Sequence, residues 1–414
     1  MKIVAVTYGT EGDTRPLSAL CRALMDAGHE TRLLADRETL GTAVVLGVPA
    51  TALAGDIKGT LQPAGSISSV VAHGRGFNDV ASALARIANA NAEAWMRDVV
   101  AAAAGCDAIL ASGLAAFVGL SAAEYVGARA IGTGLIPISP TKAFASPFLP
   151  PRRVPRFLNR TSHTLVNGVL WRAFRRATNA ARAKVCNLPP RHAIWSSHPM
   201  LYGVSPSLVP RPDDWPDNAR VCGQWIPPSP RWSPPARLTD FLAAGEAPLY
   251  VGFGSMTGFD RRRMLAQIVA ATAGRRVVFA PGWSGIDASD LPSSFLVVGD
   301  TPHDWLFPRM SVVVHHGGSG TSHSATRAGV PSVVVPFVGD QPFWADRLQH
   351  VGVAGDAVSG RTLRARDLAR SIEQAESATM RSRARAVGER MRAENGLERA
   401  TAAIEELTVS KQRG

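Results

Sequence analysis

Residues 312–336, which read VVVHHGGSGTSHSATRAGVPSVVVP, limit the possible folds of this chain more than any other segment. Two apolar, β-branched runs flank a polar stretch of helical length, and this pattern indicates a parallel strand–helix–strand unit. A turn from a strand into a helix needs about one glycine, yet Gly317, Gly318 and Gly320 all lie at this junction. Because glycine has no Cβ atom, another molecule can come close to its backbone. The sequence therefore predicts a ligand at this turn.

The same alternation of strands and helices begins twice in the chain. It starts first at KIVAVTY (residues 2–8), and the later runs TRLLAD, AILAS and ARAIGTG continue it. It starts again at PLYVGFGS (248–255) and continues with RRVVFAPG, SFLVVGD, SVVVHH and PSVVVPF. Strands that alternate with helices form parallel sheets, so we predict an α/β protein with two doubly wound, Rossmann-like domains.

A proline-rich stretch separates the two series. Seven prolines occur from Pro212 to Pro235, and this composition favours an interdomain linker over a strand. A chain of 414 residues is also longer than one hydrophobic core usually supports. The predicted segments are a first domain over 1–215, a linker over 216–239, a second domain over 240–395, and a helix with a tail over 396–414.

Composition and cysteine usage narrow the class of protein. The chain is 46% hydrophobic and 19% charged, as in ordinary globular proteins. It has no run of about 18 apolar residues that would predict a membrane span, and its first residues do not resemble a secretory signal. The four cysteines are scattered, so neither a zinc site nor a disulfide framework is predicted. These features favour a cytoplasmic enzyme.

The net charge of +12 is unevenly distributed along the chain. No acidic residue occurs between Glu124 and Asp213, whereas thirteen arginines and lysines fall within residues 129–211. Either a solvated surface or a surface that contacts anionic lipid or an acidic substrate explains this charge. Nucleic acid is a weaker alternative, because no recognition motif accompanies the charge. Contact of the basic segment 129–211 with a membrane surface is therefore one of two open expectations.

A helix that begins near Ser319 would present unpaired N–H groups and a partial positive charge to a ligand. These properties suit a diphosphate, to which the ring of His316 could add a hydrogen bond or charge. The alternative is an ordinary turn with a buried, hydrogen-bonded histidine, and the local sequence favours neither. The motifs GxxxxGK[ST] and GxGxxG are absent from these loops, and no DxD pair that would clamp a metal occurs in the chain.

Further polar groups follow predicted strands, at the ends where parallel sheets bind ligands. Ser255 lies in the glycine turn GFGSM and is placed to donate to a phosphate. Asp340 and Gln341 offer a carboxylate and an amide, which suit sugar hydroxyls or could cap the next helix. Asp13 follows the first strand, where either it or Thr14 is predicted as a helix N-cap. A general base facing the cleft would need the same position.

Three segments together resemble the family 1 glycosyltransferases of the GT-B fold: YGTEGDTRPLSAL (8–20), YVGFGSM (250–256) and the long stretch over 301–347. The bacterial sterol glucosyltransferases and the vancomycin-type antibiotic glycosyltransferases are the most similar groups. The resemblance covers nearly the whole chain. It implies two Rossmann-like domains that face each other across a cleft, the first binding the acceptor and the second the nucleotide-sugar donor.

The resemblance also assigns roles by position. Asp13 takes the place of the catalytic base, where many members have histidine, and Asp340 with Gln341 matches the pair that recognises the sugar. Trp283 and Thr301 match positions near the nucleotide. The positions that contact the diphosphate match Ser255, His316, Gly318, Ser319, Gly320 and Thr321.

Two positions depart from the plant members of the family. Asp300 stands where they have a tryptophan that stacks on the base, and Ser324 stands where they have a glutamate that binds the ribose. These departures leave the donor nucleotide open between UDP, which is expected first, and dTDP. Plant members also pair their base with a second carboxylate, for which the sequence offers no counterpart beside Asp13.

The reaction that the resemblance implies is an inverting transfer of a hexose, with glucose expected first, from a UDP- or dTDP-sugar. The acceptor would be a hydroxyl of a lipophilic sterol, terpenoid, polyketide or other natural product. No cofactor or metal is expected, because the helix start and His316 would meet the charge of the leaving diphosphate. Two alternatives remain: an epimerase of GT-B fold, which needs paired acid and base carboxylates, and a non-catalytic sugar-nucleotide binder, which has no use for a base.

Overall fold

Two parallel sheets organise the computed structural model, which describes residues 1–61, 77–228, 232–254, 256, 260–282 and 291–412. Every strand pairing in both sheets is parallel, as the alternation of strands and helices predicts. The fold class predicted from the sequence, an α/β protein with two Rossmann-like domains, is confirmed.

The first sheet is built from short apolar strands, listed here in chain order: β1 (Lys2–Val6), β2 (Glu30–Asp36), β3 (Ala50–Leu53), β4 (Ala108–Ala111), β5 (Arg129–Gly134), β6 (Met200–Tyr202) and β7 (Ala219–Val221). Their order in the sheet is β3-β2-β1-β4-β5-β6-β7. Val6 at the end of β1 pairs with Leu34 on one side and with Ala111 on the other. The loop after β1 therefore leaves from the middle of the carboxyl edge, where such sheets bind ligands.

Helices cover both faces of this sheet: α1 (Glu11–Asp26), α2 (Gly41–Val45), α3 (Ile57–Leu61), α4 (Phe77–Ala102), α5 (Ala116–Val126) and α6 (Asn159–Cys186). Trp95 of α4, Val118 of α5 and Phe174 of α6 are buried together on one face. Leu17 and Leu20 of α1 are buried on the other face. These apolar residues recur at helical spacing, so each helix turns one side toward the sheet.

The second sheet has the order β10-β9-β8-β11-β12. Its strands are β8 (Leu249–Gly252), β9 (Val277–Ala280), β10 (Phe295–Val297), β11 (Val312–His315) and β12 (Ser332–Val334). The helices of this half are α7 (Ala236–Ala243), α8 (Arg261–Ala271), α9 (His303–Leu306), α10 (Ser319–Arg327), α11 (Gln341–Val351), α12 (Ala365–Ala375) and α13 (Ala378–Arg392). The glycine-rich turn at residues 317–320 joins β11, the neighbour of the central strand β8, to α10.

The segment predicted as a linker, 216–239, is not a plain connection. Strand β7 pairs with β6 and belongs to the first sheet, and α7 begins at Ala236. The first sheet therefore extends beyond residue 215. Three residues in a proline-rich stretch are too few to show a strand pattern, which explains why the sequence does not reveal β7.

A last helix, α14 (Gly396–Gln412), returns to the first domain. Ala400, Ala403 and Ile404 are buried against the residues that α1 covers. Its Glu405 pairs with His29, with 2.8 Å between Oε1 and Nε2. The helix predicted over 396–414 is thus present, and it completes the core of the opposite domain.

Direct contacts also join the two domains beside the cleft. Glu394 accepts hydrogen bonds from the hydroxyls of Ser205 and Ser207, at 2.7 and 2.8 Å. A shared apolar cluster includes Leu208 from the first half of the chain and Trp344 from the second. No helix in the described part of the chain is long and apolar enough to cross a membrane.

Candidate active site

A cleft of about 2300 Å³ lies between the domains and brings most of the predicted site residues together. From the first domain it is lined by the loop that holds Asp13. From the second domain it is lined by Thr301, by Asp340 and by the turn into α10. The full set of predicted residues at this surface is Asp13, Thr301, His316, Gly318, Ser319, Gly320, Thr321, Asp340 and Gln341.

Asp13 lies in the first turn of α1, but it is not the N-cap that the sequence suggested. Thr10 is the N-cap, and its hydroxyl accepts a hydrogen bond from Gly12 N–H at 3.3 Å. Asp13 lies three residues further on, and its Oδ2 accepts the Thr10 N–H at 2.9 Å. This capping box fixes the orientation of the carboxylate. Gly9 leaves room for it, because a Cβ atom there would lie 2.2 Å from Asp13 Oδ2.

The environment of Asp13 suits a group that takes up a proton near neutral pH. Burial raises the pKa of Asp13 to about 6, although the hydrogen bonds from Thr10 lower it. The charge of Asp340, which lines the same cleft, raises the pKa of Asp13 further. A pKa close to the working pH is what general base catalysis requires.

The turn into α10 leaves the start of that helix open. Gly317 has φ +90°, and a Cβ atom on it would lie 2.7 Å from Val334 Cγ1. Gly318 is the N-cap and therefore supplies no side chain to the first N–H groups of α10. A helix start with free N–H groups attracts anions, so this geometry fits the diphosphate seat predicted from the sequence.

The two histidines before this turn have different surroundings. His315 is fully buried, and its Nδ1 accepts the Gly317 N–H at 3.1 Å, which holds the turn in shape. His316 lies against Gly254 and Gly318 at the cleft, and its buried Nδ1 has no partner among the described residues. Burial, helped by the neighbouring His303, lowers the pKa of His316 to about 4. The ring is therefore neutral at pH 7 and can donate a hydrogen bond to an anion.

Asp340 occupies the N-cap position of α11, yet its side chain makes no capping hydrogen bond. Its Oδ2 instead accepts the Trp344 Nε1–H at 2.7 Å. Burial raises the pKa of Asp340 to about 6, although this hydrogen bond lowers it. The carboxylate is therefore held by one partner and keeps acceptor capacity toward the cleft.

Gln341 is turned more toward the protein than the sequence suggested. Its Oε1 accepts the N–H groups of Phe337 and Val338, at 2.7 and 3.1 Å. Its Nε2 contacts the sulfur of Met256 at 3.0 Å. The amide thus holds the loop that presents Asp340. Direct contact with a sugar stays a prediction for this residue.

Two of the predicted donor residues, Ser255 and Trp283, lie outside the described residues. The glycines that precede them do belong to the described part: Gly254 and Gly282 have φ of +56° and +57°. A Cβ atom on Gly282 would lie 2.1 Å from Gly254 O, so the two loops touch at the cleft. Thr301 donates from Oγ1 to Gly299 O at 3.2 Å and faces the same space.

The first domain lines its part of the cleft mainly with apolar side chains. Phe117 of α5 packs against Phe174 of α6, with ring centroids 5.4 Å apart, and against Trp195 at 6.0 Å. Leu120 and Leu170 extend the same wall. This chamber opens beside Asp13 and fits an apolar molecule with a polar end.

Sequence comparisons agree with this geometry. A family model for the C-terminal domain of erythromycin biosynthesis protein CIII-like proteins matches residues 262–407. A sterol 3-beta-glucosyltransferase of Neurospora crassa is 30% identical over 98% of this chain, and one of Kluyveromyces lactis is 31% identical over 97%. These alignments take in 27% and 34% of the two fungal proteins, so the chain spans about a quarter to a third of the length of the curated relatives it matches.

Solved structures extend the similarity to the entire fold. The glycotransferase of kitacinnamycin superimposes with a TM-score of 0.71 at 20% identity, covering 98% of this chain and 99% of that one. Glycosyltransferase VinC in complex with dTDP superimposes with a TM-score of 0.67 at 20% identity, with both chains covered fully. These similarities relate the chain to the family 1 glycosyltransferases. The GT-B fold predicted from its motifs is confirmed.

The two departures from the plant pattern, Asp300 and Ser324, both line the cleft. Asp300 is exposed and meets Arg15 of the first domain, with 3.4 Å between Oδ2 and the guanidinium. Ser324 lies in α10, and its hydroxyl is 3.5 Å from Gln224 Nε2. Both positions therefore contact the opposite domain or the segment that joins the domains.

Two histidines that the sequence does not single out lie in the second domain close to the cleft. His323 links the domains, because its Nδ1 contacts Ser319 O at 2.7 Å and its Nε2 accepts the Ser205 N–H at 3.0 Å. His303 lines the cleft and stacks on Phe307, with ring centroids 4.1 Å apart. The sequence does not reveal the link made by His323, because Ser205 is 118 residues away in the chain.

Proposed function

We propose that this protein is a glycosyltransferase that moves a hexose, with glucose expected first, from a nucleotide-diphosphate sugar to a hydroxyl of a lipophilic small molecule. The observation that carries the proposal is the shared cleft. It sets the carboxylate of Asp13 near Asp340 and the open start of α10, with an apolar chamber on the same side as Asp13.

The donor would lie on the second domain. Its diphosphate would face the N–H groups at Gly318, Ser319, Gly320 and Thr321, where the helix dipole favours negative charge. The neutral ring of His316 would donate a hydrogen bond to a diphosphate oxygen. Asp340 would accept a hydroxyl of the sugar, while Gln341 holds the loop around it.

The transfer would be a single displacement. Asp13 takes the proton of the acceptor hydroxyl while that oxygen forms a bond to the anomeric carbon. The bond from the anomeric carbon to the diphosphate oxygen breaks, and the nucleoside diphosphate leaves with that electron pair. Attack opposite the leaving group inverts the configuration at the anomeric carbon. The helix start and His316 stabilise the charge that develops on the leaving group.

Metal independence and the choice of nucleotide are parts of the proposal. The absence of a DxD pair supports a reaction without a divalent ion, since the helix start supplies positive potential in its place. UDP is proposed as the preferred nucleotide, with dTDP as the alternative. The relatives named sterol 3-beta-glucosyltransferases favour glucose as the sugar and a sterol-like molecule as the acceptor.

The test is release of UDP from UDP-glucose by the purified protein, with sterol, macrolide and phenolic acceptors supplied in cyclodextrin or detergent. We expect release only in the presence of an acceptor, a glycosylated product of inverted configuration, and the same rate in excess EDTA. Conversion of UDP-glucose to an epimer without an acceptor would establish the epimerase alternative. Loss of activity in EDTA that magnesium or manganese restores would refute the metal-free mechanism.

A further inference from the structure

Helix α6 presents one side to the cleft and the other to solvent. Leu170 and Phe174 on its inner side line the acceptor chamber, and Trp171 is buried nearby. Its outer side, with the short turn just before it, holds several large apolar residues in water. They are Phe157, Leu158, Leu165 and Val169, with exposed fractions of 83%, 39%, 64% and 37%.

The exposed apolar residues lie among arginines. Leu165, Val169, Arg172 and Arg176 follow one another at spacings of four, three and four residues, so they share one face of the helix. Arg156 precedes Phe157 in the turn over 156–158. We call this surface the outer face of α6; its members are Arg156, Phe157, Leu158, Leu165, Val169, Arg172, Arg175 and Arg176.

The charge of the outer face is not neutralised. No ion pair involves Arg172, Arg175 or Arg176 among the described residues. Other basic residues of the segment 129–211 are paired instead: Arg182 is buried against Glu124, and Lys184 pairs with Glu93. The basic segment noted in the sequence thus divides into a paired, structural part and a free part on the outer face.

We propose that the outer face of α6 binds the surface of an anionic membrane. Exposed Phe and Leu side chains enter the boundary between headgroups and acyl chains, while neighbouring arginines meet the lipid phosphates. Charge complementarity favours anionic lipid as the partner. Residues 125–212 contain no acidic side chain that would repel the lipid phosphates. Since no described helix is long and apolar enough to cross a membrane, the contact is interfacial.

This inference rests on the proposed transfer to a lipophilic acceptor. It adds a path by which such an acceptor reaches the cleft. Thr164 and Asn167 lie at the cleft on the same turns that expose Leu165 and Val169. A molecule that leaves the bilayer beside α6 therefore has only the width of one helix to pass before it reaches the chamber. The acceptor class implied is one that resides in membranes, such as a sterol or terpenoid lipid.

The first experiment measures binding of the purified protein to vesicles by flotation. Vesicles of phosphatidylcholine alone are compared with vesicles that also contain phosphatidylglycerol. We expect binding to the anionic vesicles that weakens as salt is added. R172Q/R176Q should lower the partition coefficient about 30-fold, at about fivefold for each arginine. F157S/L165S should lower binding to the same vesicles by removing the apolar contact.

The matched control is R381Q/R385Q, which removes two exposed arginines, also four residues apart, from α13. It should leave vesicle binding unchanged. Thermal unfolding of each variant checks that the fold is intact. The proposal fails if the native protein does not bind anionic vesicles, if both arginine pairs lower binding equally, or if the outer face proves to join two copies of the chain in solution.

A second measurement separates this inference from the proposed function. Glycosylation is assayed with the same acceptor dispersed in cyclodextrin and embedded in anionic vesicles. We expect R172Q/R176Q to keep the native rate with the dispersed acceptor and to lose rate with the embedded one. No turnover in either form would refute the proposed acceptor class while vesicle binding still stands. Equal rates of variant and native protein with embedded acceptor would refute membrane delivery.

Discussion

The second domain brings glycine turns and the start of a helix to the cleft, whereas the first domain brings a wall of aromatic and aliphatic side chains. In the second domain, the start of α10 and the turns at Gly254 and Gly282 line the cleft. In the first domain, aromatic and aliphatic groups from α5 and α6 line it. Asp13, set by a capping box in the first domain, is the polar group that faces both.

This difference follows from the chemistry of the two proposed ligands. A diphosphate has the same shape in every nucleotide-sugar, so a fixed backbone arrangement serves it, and exchange of side chains there gains little. Acceptors differ in size and shape, and apolar walls on helices can change without altering the fold. Substitutions in the two halves should therefore have separable effects.

The largest effect is expected where the halves meet. Asp13→Asn should lower turnover by a factor on the order of 10²–10⁴, because the variant cannot take the acceptor proton, while donor binding stays nearly intact. Initial rates and calorimetric titration with UDP measure the two quantities. Glu11→Gln, a neutralised carboxylate in the same turn of α1, is the control and should keep most activity. Near-native turnover of Asp13→Asn would reduce Asp13 to a helix-capping residue.

A second substitution tests sugar selection in the donor half. Asp340→Asn should lower the preference for UDP-glucose over 4- or 6-deoxy donors by about 10²-fold, because the carboxylate that accepts a sugar hydroxyl is lost. The amide oxygen of Asn can still accept the Trp344 Nε1–H, so the loop should stay in place. Competition between donors gives the product ratio.

Trp344→Phe provides the matched control for this prediction, since it removes the hydrogen bond to Asp340 and keeps the carboxylate. If Trp344→Phe changes the product ratio as much as Asp340→Asn does, the effect comes from a displaced loop. An unchanged ratio in Asp340→Asn would refute the role of Asp340 in sugar recognition.

A third substitution tests whether binding of the diphosphate requires a position without a side chain at the start of α10. Gly320→Ala should weaken UDP binding about 10-fold while stabilising the protein, because alanine is a better helix former than glycine by about 1 kcal/mol. A Cβ atom on Gly320 meets no protein atom within 4 Å, so any loss of affinity must involve the ligand. Calorimetry and thermal unfolding give the two readouts.

Gly168→Ala is the matched control for Gly320→Ala. Gly168 also lies within a helix, and a Cβ atom on it meets nothing within 4 Å. This variant should show the same gain in stability with unchanged UDP affinity. Tight UDP binding by Gly320→Ala would contradict a diphosphate seat at α10.

A fourth substitution addresses the acceptor half. Leu170→Ala should raise the KM for a bulky apolar acceptor about 3- to 10-fold, as expected for part of one aliphatic contact, and should leave the KM for UDP-glucose unchanged. Leu165→Ala, the same change on the exposed side of the same helix, should alter neither KM with dispersed acceptor. A parallel change in both KM values for Leu170→Ala would show that the halves are not independent.

The smallest effect concerns pH. Asp13 must be ionised to act as a base, and its pKa is raised to about 6, so kcat/KM should fall as the pH drops below that value. Asp340→Asn removes a charge that raises the pKa of Asp13. The acidic limb of the pH profile of kcat/KM should therefore move to lower pH. Asp300→Asn, on the same cleft, should leave the limb in place. A limb that does not move in Asp340→Asn would mean that the carboxylates are not coupled.

The sequence predicts those parts of the molecule that depend on local chemistry. The parallel sheets follow from the alternation of apolar strands and helices, and the open turn at Gly317 and Gly318 follows from the absence of Cβ atoms. The anchoring of the Gln341 amide by Phe337 N–H and the bridge made by His323 depend on partners that only the fold brings near. The sequence likewise does not reveal the apolar wall of the first domain, because Phe117, Phe174 and Trp195 come from separate segments of the chain.

The return of α14 to the first domain has a consequence for how the protein is made. Ribosomes complete the first sheet long before they reach Ala400, Ala403 and Ile404, which cover the core around Leu17 and Leu20. Until those late residues emerge, the nascent domain keeps an uncovered apolar surface, of the kind that chaperones bind. The order of synthesis and the order of core completion are thus opposed, and the half that is made first is the half that finishes folding last.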